Sequence, residues 1–200
     1  GIVHSERSPD AERADGPSFY GMQTWLALPD GKEEIAPAFE HVAPDALPVI
    51  EGEGVTARVL MGSLWGRASP VTQHAATIYA DIALAAGASV PIDAEADERA
   101  VMLTEGAASL DGMPLALFSL YILAPGEALT LRGDAPARAL LLGGEAFATR
   151  RHVWWNFVSS SRERIAAAKD DWTARRFPLV PGDEEEWIPI PAVPKTVSYP

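Results

Sequence analysis

No cysteine occurs among the 200 residues. Disulfides, thiolate metal sites and cysteine nucleophiles are therefore excluded. Basic residues are scarce: 16 Lys and Arg stand against 28 Asp and Glu, a net charge of −12. That balance argues against direct binding to a nucleic-acid backbone, which needs clustered cations. It also disfavours an anionic membrane surface. No apolar run reaches the roughly 18 residues of a membrane-spanning helix. No signal or transit pattern is visible, so the expectation is a cytoplasmic protein. Histidine is rare too, with only His4, His41, His74 and His152. What the chain has is hydrophobic content of 48%, enough for a packed core.

Residues 8–18 are polar and turn-rich and read as a loop. "FYGMQTWLALP" (19–29) reads as a strand that Pro29 ends, and 30–48 as a Pro-punctuated surface excursion. From residue 49 the texture changes to short apolar runs cut by turns at Asp111-Gly112, Pro125-Gly126, Gly133-Asp134 and Gly143-Gly144. Turn signals at this spacing predict an all-β sandwich or barrel. "DIALAAGA" (81–88) is Ala-rich but predicted as strand, and "ARALLLGGE" (137–145) as a buried strand. One helix is predicted over 159–177, with Ser160 and Glu163 as a capping box. Ile165, Ala168 and Trp172 form its apolar stripe and Arg175 and Arg176 its last turn. After it, Trp187, Ile188 and Ile190 are expected to pin a Pro-rich tail, and Asp183–Glu186 to form a solvated turn.

The first residues carry the chemistry. Ile2-Val3-His4 is β-prone, and on a strand positions i and i+2 share a face. His4 and Glu6 would then project together. An imidazole and a carboxylate suit a divalent transition metal such as Fe, Mn, Ni or Zn. Two ligands hold a metal poorly, so further donors must come from elsewhere.

Several segments together resemble the pirins, a family of iron-binding bicupins. "GIVHSE" (1–6) is similar to the strand bearing the last two metal ligands of the N-terminal cupin. "GMQTWLALP" (21–29) resembles the G-x-Q-x-W-x-x-L-P segment that follows it. "GSLWGRASPV" (62–71) and "TIYADIALAAGASVPI" (77–92) resemble the opening of the second cupin, and "LAPGEALTLRGDAPARALLLGGE" (123–145) its end. "RRHVWWNFVSSSRERIAAAKDDW" (150–172) and "RFPLVPGDEEEWIPIP" (176–191) resemble the C-terminal region.

The resemblance implies an all-β cupin (jelly-roll) bicupin fold. Residues 1–48 would be a remnant of the N-terminal cupin plus linker, 49–150 the C-terminal cupin, and 151–200 the C-terminal helix and tail. Pirins carry an upstream H-x-H-R-G-type motif that supplies two more His ligands, and this chain contains no H-x-H. The expectation is therefore a chain that begins inside its first cupin, with sheet edges that must be paired or covered. The resemblance further implies Fe(II) or another divalent transition metal and quercetin 2,3-dioxygenase-like activity on a small, flavonol-like aromatic substrate. His4 would be a ligand, and Glu6 both ligand and base toward the flavonol hydroxyl. With two His missing, this chain alone is expected to be inactive. The alternative is a metal-dependent regulatory protein, a transcription cofactor or a partner of a metabolic enzyme, for which the acidic balance suits a basic protein partner.

The other candidates have plainer readings. His41 is expected at the surface, and His74 and His152 as structural or surface residues. Trp154, Trp155 and Phe157 are expected to pack a seam. Gln23 and Trp25 either line the first cupin's cavity or pack in its core.

Overall fold

The structure, a computed structural model, describes residues 2–8, 10–16 and 20–192. The chain divides into two compact units. One is residues 39–146; the other joins the residues up to Ala38 with those from Phe147 onward.

The unit at 39–146 holds eleven strands: β1 (Val49–Gly52), β2 (Val55–Leu64), β3 (Arg67–Ala68), β4 (Thr77–Leu84), β5 (Ser89–Ile92), β6 (Glu98–Glu105), β7 (Ala108–Leu110), β8 (Met113–Pro114), β9 (Leu120–Leu123), β10 (Leu129–Gly133) and β11 (Ala137–Gly144). They form two antiparallel sheets. One has the order β1-β2-β4-β11-β6-β9, with β3 added to β2; the other runs β5-β10-β7-β8. Most neighbours within each sheet are not sequential in the chain, as in a double-sheet jelly roll. β2, β4, β5 and β10 turn alternate residues inward, while β6, β7 and β11 are buried along continuous runs. Ala80, Ile82 and Leu84 of β4 and Val90 and Ile92 of β5 are buried, and Ile82, Ile92, Leu103, Leu131 and Leu141 fill the centre. The sandwich expected from the turn spacing is thus what forms.

Ala-rich 81–84 lies in β4, flanked by β2 and β11, so ladder pairing decides its conformation over helix propensity. One expected turn is not a turn. Gly143 and Gly144 are the last residues of β11. A Cβ at Gly143 would lie 2.5 Å from Glu98 O, and one at Gly144 would lie 2.4 Å from Ala76 O. These glycines let the strands close on one another. Arg99 is buried, and its guanidinium donates to the carbonyls of Asp93 (2.7 Å) and Ala124 (2.7 Å), tying two connections to β6.

The second unit contains helix α1 (Asp10–Asp15), the hairpin β12 (His152–Trp154) with β13 (Phe157–Ser159), and helix α2 (Arg162–Thr173). Neither strand expected near the N-terminus forms. Residues 2–8 and 20–29 belong to no sheet, and Phe19 lies outside the described residues. A strand needs a hydrogen-bonded neighbour, and among the described residues of this unit the pairing is that of β12 with β13 and an isolated bridge between Val180 and Asp183, neither of which involves residues 2–8 or 20–29. Asp10–Asp15, read as loop, is a short helix.

The long helix starts one residue later than its sequence pattern indicates. Ser161 is the cap: its hydroxyl accepts from Arg164 N–H (3.1 Å) and donates to Glu163 (3.0 Å). Ser160 is diverted to Glu33, to which its N–H (2.7 Å) and hydroxyl (2.5 Å) both donate. The helix ends at Thr173, so Arg175 and Arg176 lie beyond its last turn. Ile165 and Ala168 are buried as expected and Trp172 is half-buried.

Aromatic rings form this unit's apolar cluster. Trp154 stacks on Phe157 across the hairpin, and Trp155, Trp172 and Phe177 meet Phe157 edge-on or stacked. The tail is pinned as expected, but by different atoms. Trp187 stacks on Trp172 with centroids 4.1 Å apart, while Ile188 contributes its carbonyl to Trp172 Nε1 (2.9 Å) and leaves its side chain exposed. Residues 193–200 of the tail lie outside the described residues.

Candidate functional site

His4 and Glu6 lie on an irregular segment, and both are exposed. Although no strand forms, partners still alternate along it. The Ser5 hydroxyl and the Arg7 guanidinium both reach Asp183, whereas Glu6 Oε1 accepts from Gln23 Nε2 at 3.2 Å. The residues flanking Glu6 thus share one partner while Glu6 takes another.

Gln23 therefore touches the candidate ligand directly. Trp25, the other residue of that motif, is 55% exposed and fills no core. Ile2, Tyr20, Met22 and Leu26 are exposed as well. The same segment of chain thus carries both the candidate ligands and a set of uncovered apolar side chains.

The donor chemistry of His4 and Glu6 suits a divalent transition metal, but the number of donors does not. Among the described residues, no three His, Asp or Glu side chains gather as a metal site. His41 is exposed; His74 and His152 are half-buried. The interior of the 39–146 unit is filled by aliphatic side chains. An open groove beside β1, β2 and β5, lined by Ile50, Glu51, Glu53, Trp65 and Val90 among others, contains no histidine.

Sequence reasoning missed the ionic framework that supports residues 20–34. Arg151, whose side chain is 9% exposed, pairs with Asp30 (2.8 Å) and Glu33 (3.3 Å) and donates to the Leu28 carbonyl at 2.6 Å. Arg164 of α2 pairs with Glu34 at 2.7 Å. The acidic tail run is likewise more than a solvated turn, because Arg7 binds Asp183 and Glu186. These partners lie more than a hundred residues apart in sequence, and no local pattern announces them.

The framework shapes the response to acid. Hydrogen bonds from Thr149, then Arg151, hold the Asp30 carboxyl below its ordinary range. Arg164 does the same to Glu34, and Arg7 with Ser5 to Asp183. A depressed carboxyl stabilises the fold above its ordinary value, and that contribution is lost as pH falls through the folded value. We expect acidification below about pH 4 to loosen this unit before the 39–146 sandwich. Tryptophan emission reports it, since Trp25, Trp154, Trp155, Trp172 and Trp187 all belong to this unit. Emission unchanged down to about pH 2 would show that these pairs add nothing.

Comparison with known proteins places this arrangement. Residues 79–178 match the model of the pirin C-terminal cupin domain, covering β4 through α2. A pirin-like protein of Caulobacter vibrioides is 39% identical over 192 residues, 96% of this chain and 66% of that protein. A pirin-like protein of Solanum lycopersicum is 27% identical over 181 residues, covering 86% of this chain and 60% of its own length. The crystal structure of a quercetin 2,3-dioxygenase from Acinetobacter baumannii superposes with a TM-score of 0.77 at 29% identity, over 87% of this chain and 59% of that one. The chain thus spans about two thirds or less of the length of these relatives. With its jelly-roll unit, its C-terminal helix and these matches across nearly the whole sequence, the chain belongs to the pirin family of cupin proteins.

Proposed function

We propose that this chain contributes His4 and Glu6 to a divalent transition-metal centre of the pirin type, whose remaining donors lie outside the described residues. The observation that carries this reading is the placement of Glu6: its carboxylate meets Gln23, while Ser5 and Arg7 on either side turn to Asp183. The mixed N and O donor pair suits Fe(II), Mn(II), Ni(II) or Zn(II). The likeness to a quercetin 2,3-dioxygenase supports a flavonol-like aromatic substrate. When bound, the metal supplies a coordination position for a flavonol oxygen and a centre for chemistry with O₂. Glu6 has a second part, to accept the flavonol hydroxyl proton.

Elemental mass spectrometry after removal of loosely bound ions tests the ligand assignment. Where the other nitrogen donors are supplied, one divalent transition metal per chain is expected, lost in both His4→Ala and Glu6→Gln. In these 200 residues by themselves, occupancy well below one and negligible quercetin turnover are expected. Metal retained in both variants would overturn the assignment.

A further inference from the structure

We infer that Arg7 is a positioning residue: it clamps the segment bearing His4 and Glu6 to the acidic tail at Asp183–Glu186 and so fixes where those two side chains sit. The inference rests on the ligand reading above and names what sets its geometry.

Arg7 grips Asp183 with both arms of its fork, Nε to Oδ2 and Nη2 to Oδ1, each at 2.8 Å, and also reaches Glu186. Such a planar, two-point grip fixes orientation as well as distance. Ser5 adds a hydrogen bond to the same Asp183. Ser5 and Arg7 are therefore bound to a single carboxylate, while Glu6 between them turns to another partner, Gln23.

The carboxylate is itself well anchored. Asp183 is the more buried partner, with its side chain 18% exposed against 52% for Arg7. Its backbone N–H closes a turn onto Val180 O at 2.9 Å, and the Glu184 carboxylate caps Gly182 N–H at 3.0 Å. Just beyond, Trp187 stacks on Trp172 of α2, and Trp172 Nε1 holds Ile188 O. The tail is thus tied to a helix, and Arg7 ties the ligand segment to the tail. Glu6, between the two held residues, meets Gln23 instead, and both His4 and Glu6 stay exposed.

The test uses the 200-residue chain with Co(II) alone as the probe, and three variants: Arg7→Ala, Arg7→Lys, and the exchanged pair Arg7→Asp with Asp183→Arg. Two quantities are read: hydrogen exchange of the amides at residues 4–7, and Co(II) affinity followed through paramagnetic broadening of the His4 ring signals. An exposed ion pair shifts a local equilibrium by up to about fivefold. Apparent affinity falls with the fraction of chains holding the competent geometry. Arg7→Ala should therefore speed exchange and weaken Co(II) binding, each by about fivefold. Arg7→Lys should recover less than half of the effect, since an ammonium cannot make the two-point grip. The exchanged pair should recover most of both, and exchange within α2 should stay unchanged in all three.

Exchange at 4–7 that is unchanged in Arg7→Ala overturns the clamp. Faster exchange with unchanged Co(II) affinity, in a chain where His4→Ala does weaken Co(II), overturns positioning. If His4→Ala leaves Co(II) affinity untouched, the ligand reading fails, and the exchange measurement still decides the clamp by itself.

Discussion

Gly62→Ala is expected to destabilise the 39–146 sandwich by about 3–5 kcal/mol, among the largest effects a single methyl group can have. Gly62 sits in β2 just after the register shift between Val59 and Met61, opposite Ile78 of β4. The shift gives the strand a local bend, and Gly62 absorbs it with φ of 75°. An L-residue there carries about 1–2 kcal/mol of left-handed strain. The second cost is steric. The new Cβ would lie 1.7 Å from the carbonyl oxygen of Thr77, a backbone atom that cannot swing away. Relief requires opening the β2–β4 ladder at the edge of the core that Val59, Ala80 and Ile82 fill. Gly66→Ala is the control: it has the same φ of 75°, but its Cβ would meet nothing within 4 Å. That variant should lose only the strain, about 1–2 kcal/mol. Urea unfolding followed by far-UV circular dichroism gives both values, and their difference isolates the clash. If Gly62→Ala were no worse than Gly66→Ala, the close approach of β2 and β4 at this point would be wrong.

The same contrast between local and distant causes explains what could be read in advance. The strands of the sandwich were legible because they are short apolar runs punctuated by turn residues. Asp111-Gly112 does join β7 to β8, and "ARALLLGG" does form the buried β11. Gly143-Gly144 misled because the same dipeptide serves two ends. It marks turns where the chain reverses, and here it marks a strand end where Glu98 and Ala76 carbonyls press close. The N-terminal segments misled for another reason. "IVHSE" and "GMQTWLALP" have strand composition, but pairing partners are not encoded in a strand's own residues, and among the described residues none pairs with them. Of the candidate site, the pair His4 and Glu6 was proposed from its spacing on a strand and from family resemblance, and that strand does not form. Gln23 was singled out without its partner. Arg7 and Arg151 were not, and Asp183 was named only as part of a solvated turn, because their roles depend on contacts across more than a hundred residues.

Arg151→Ala should be the most damaging change in the unit that carries the candidate site, at about 2–4 kcal/mol. The guanidinium bridges two stretches of chain. On one side it takes Leu28 O, Asp30 and Glu33; on the other it donates to Thr149 O at 2.7 Å and lies 4.6 Å from the centre of the Phe147 ring. Removing one member of a half-buried ionic group leaves the others desolvated without a partner, which costs more than the pair was worth. Glu33 would keep Ser160 but lose its cation, and Leu28 O would lose its donor. Because Asp30 is 46% exposed and regains water, the cost stays below that of a fully buried pair. Arg151→Lys should recover only a small part, since one ammonium cannot serve the Leu28 carbonyl and both carboxylates. Combining Arg151→Ala with Glu33→Gln should be less harmful than the single change, because it removes the stranded charge. The consequence for function follows from chain continuity. Leu28 lies five residues after Gln23, the residue that holds Glu6. Hydrogen exchange should therefore quicken from residue 28 back toward residue 23 in Arg151→Ala, and tryptophan emission should report earlier unfolding in urea. A double variant as unstable as the single one would place the loss in the Leu28 and Thr149 carbonyl bonds and acquit the charge on Glu33.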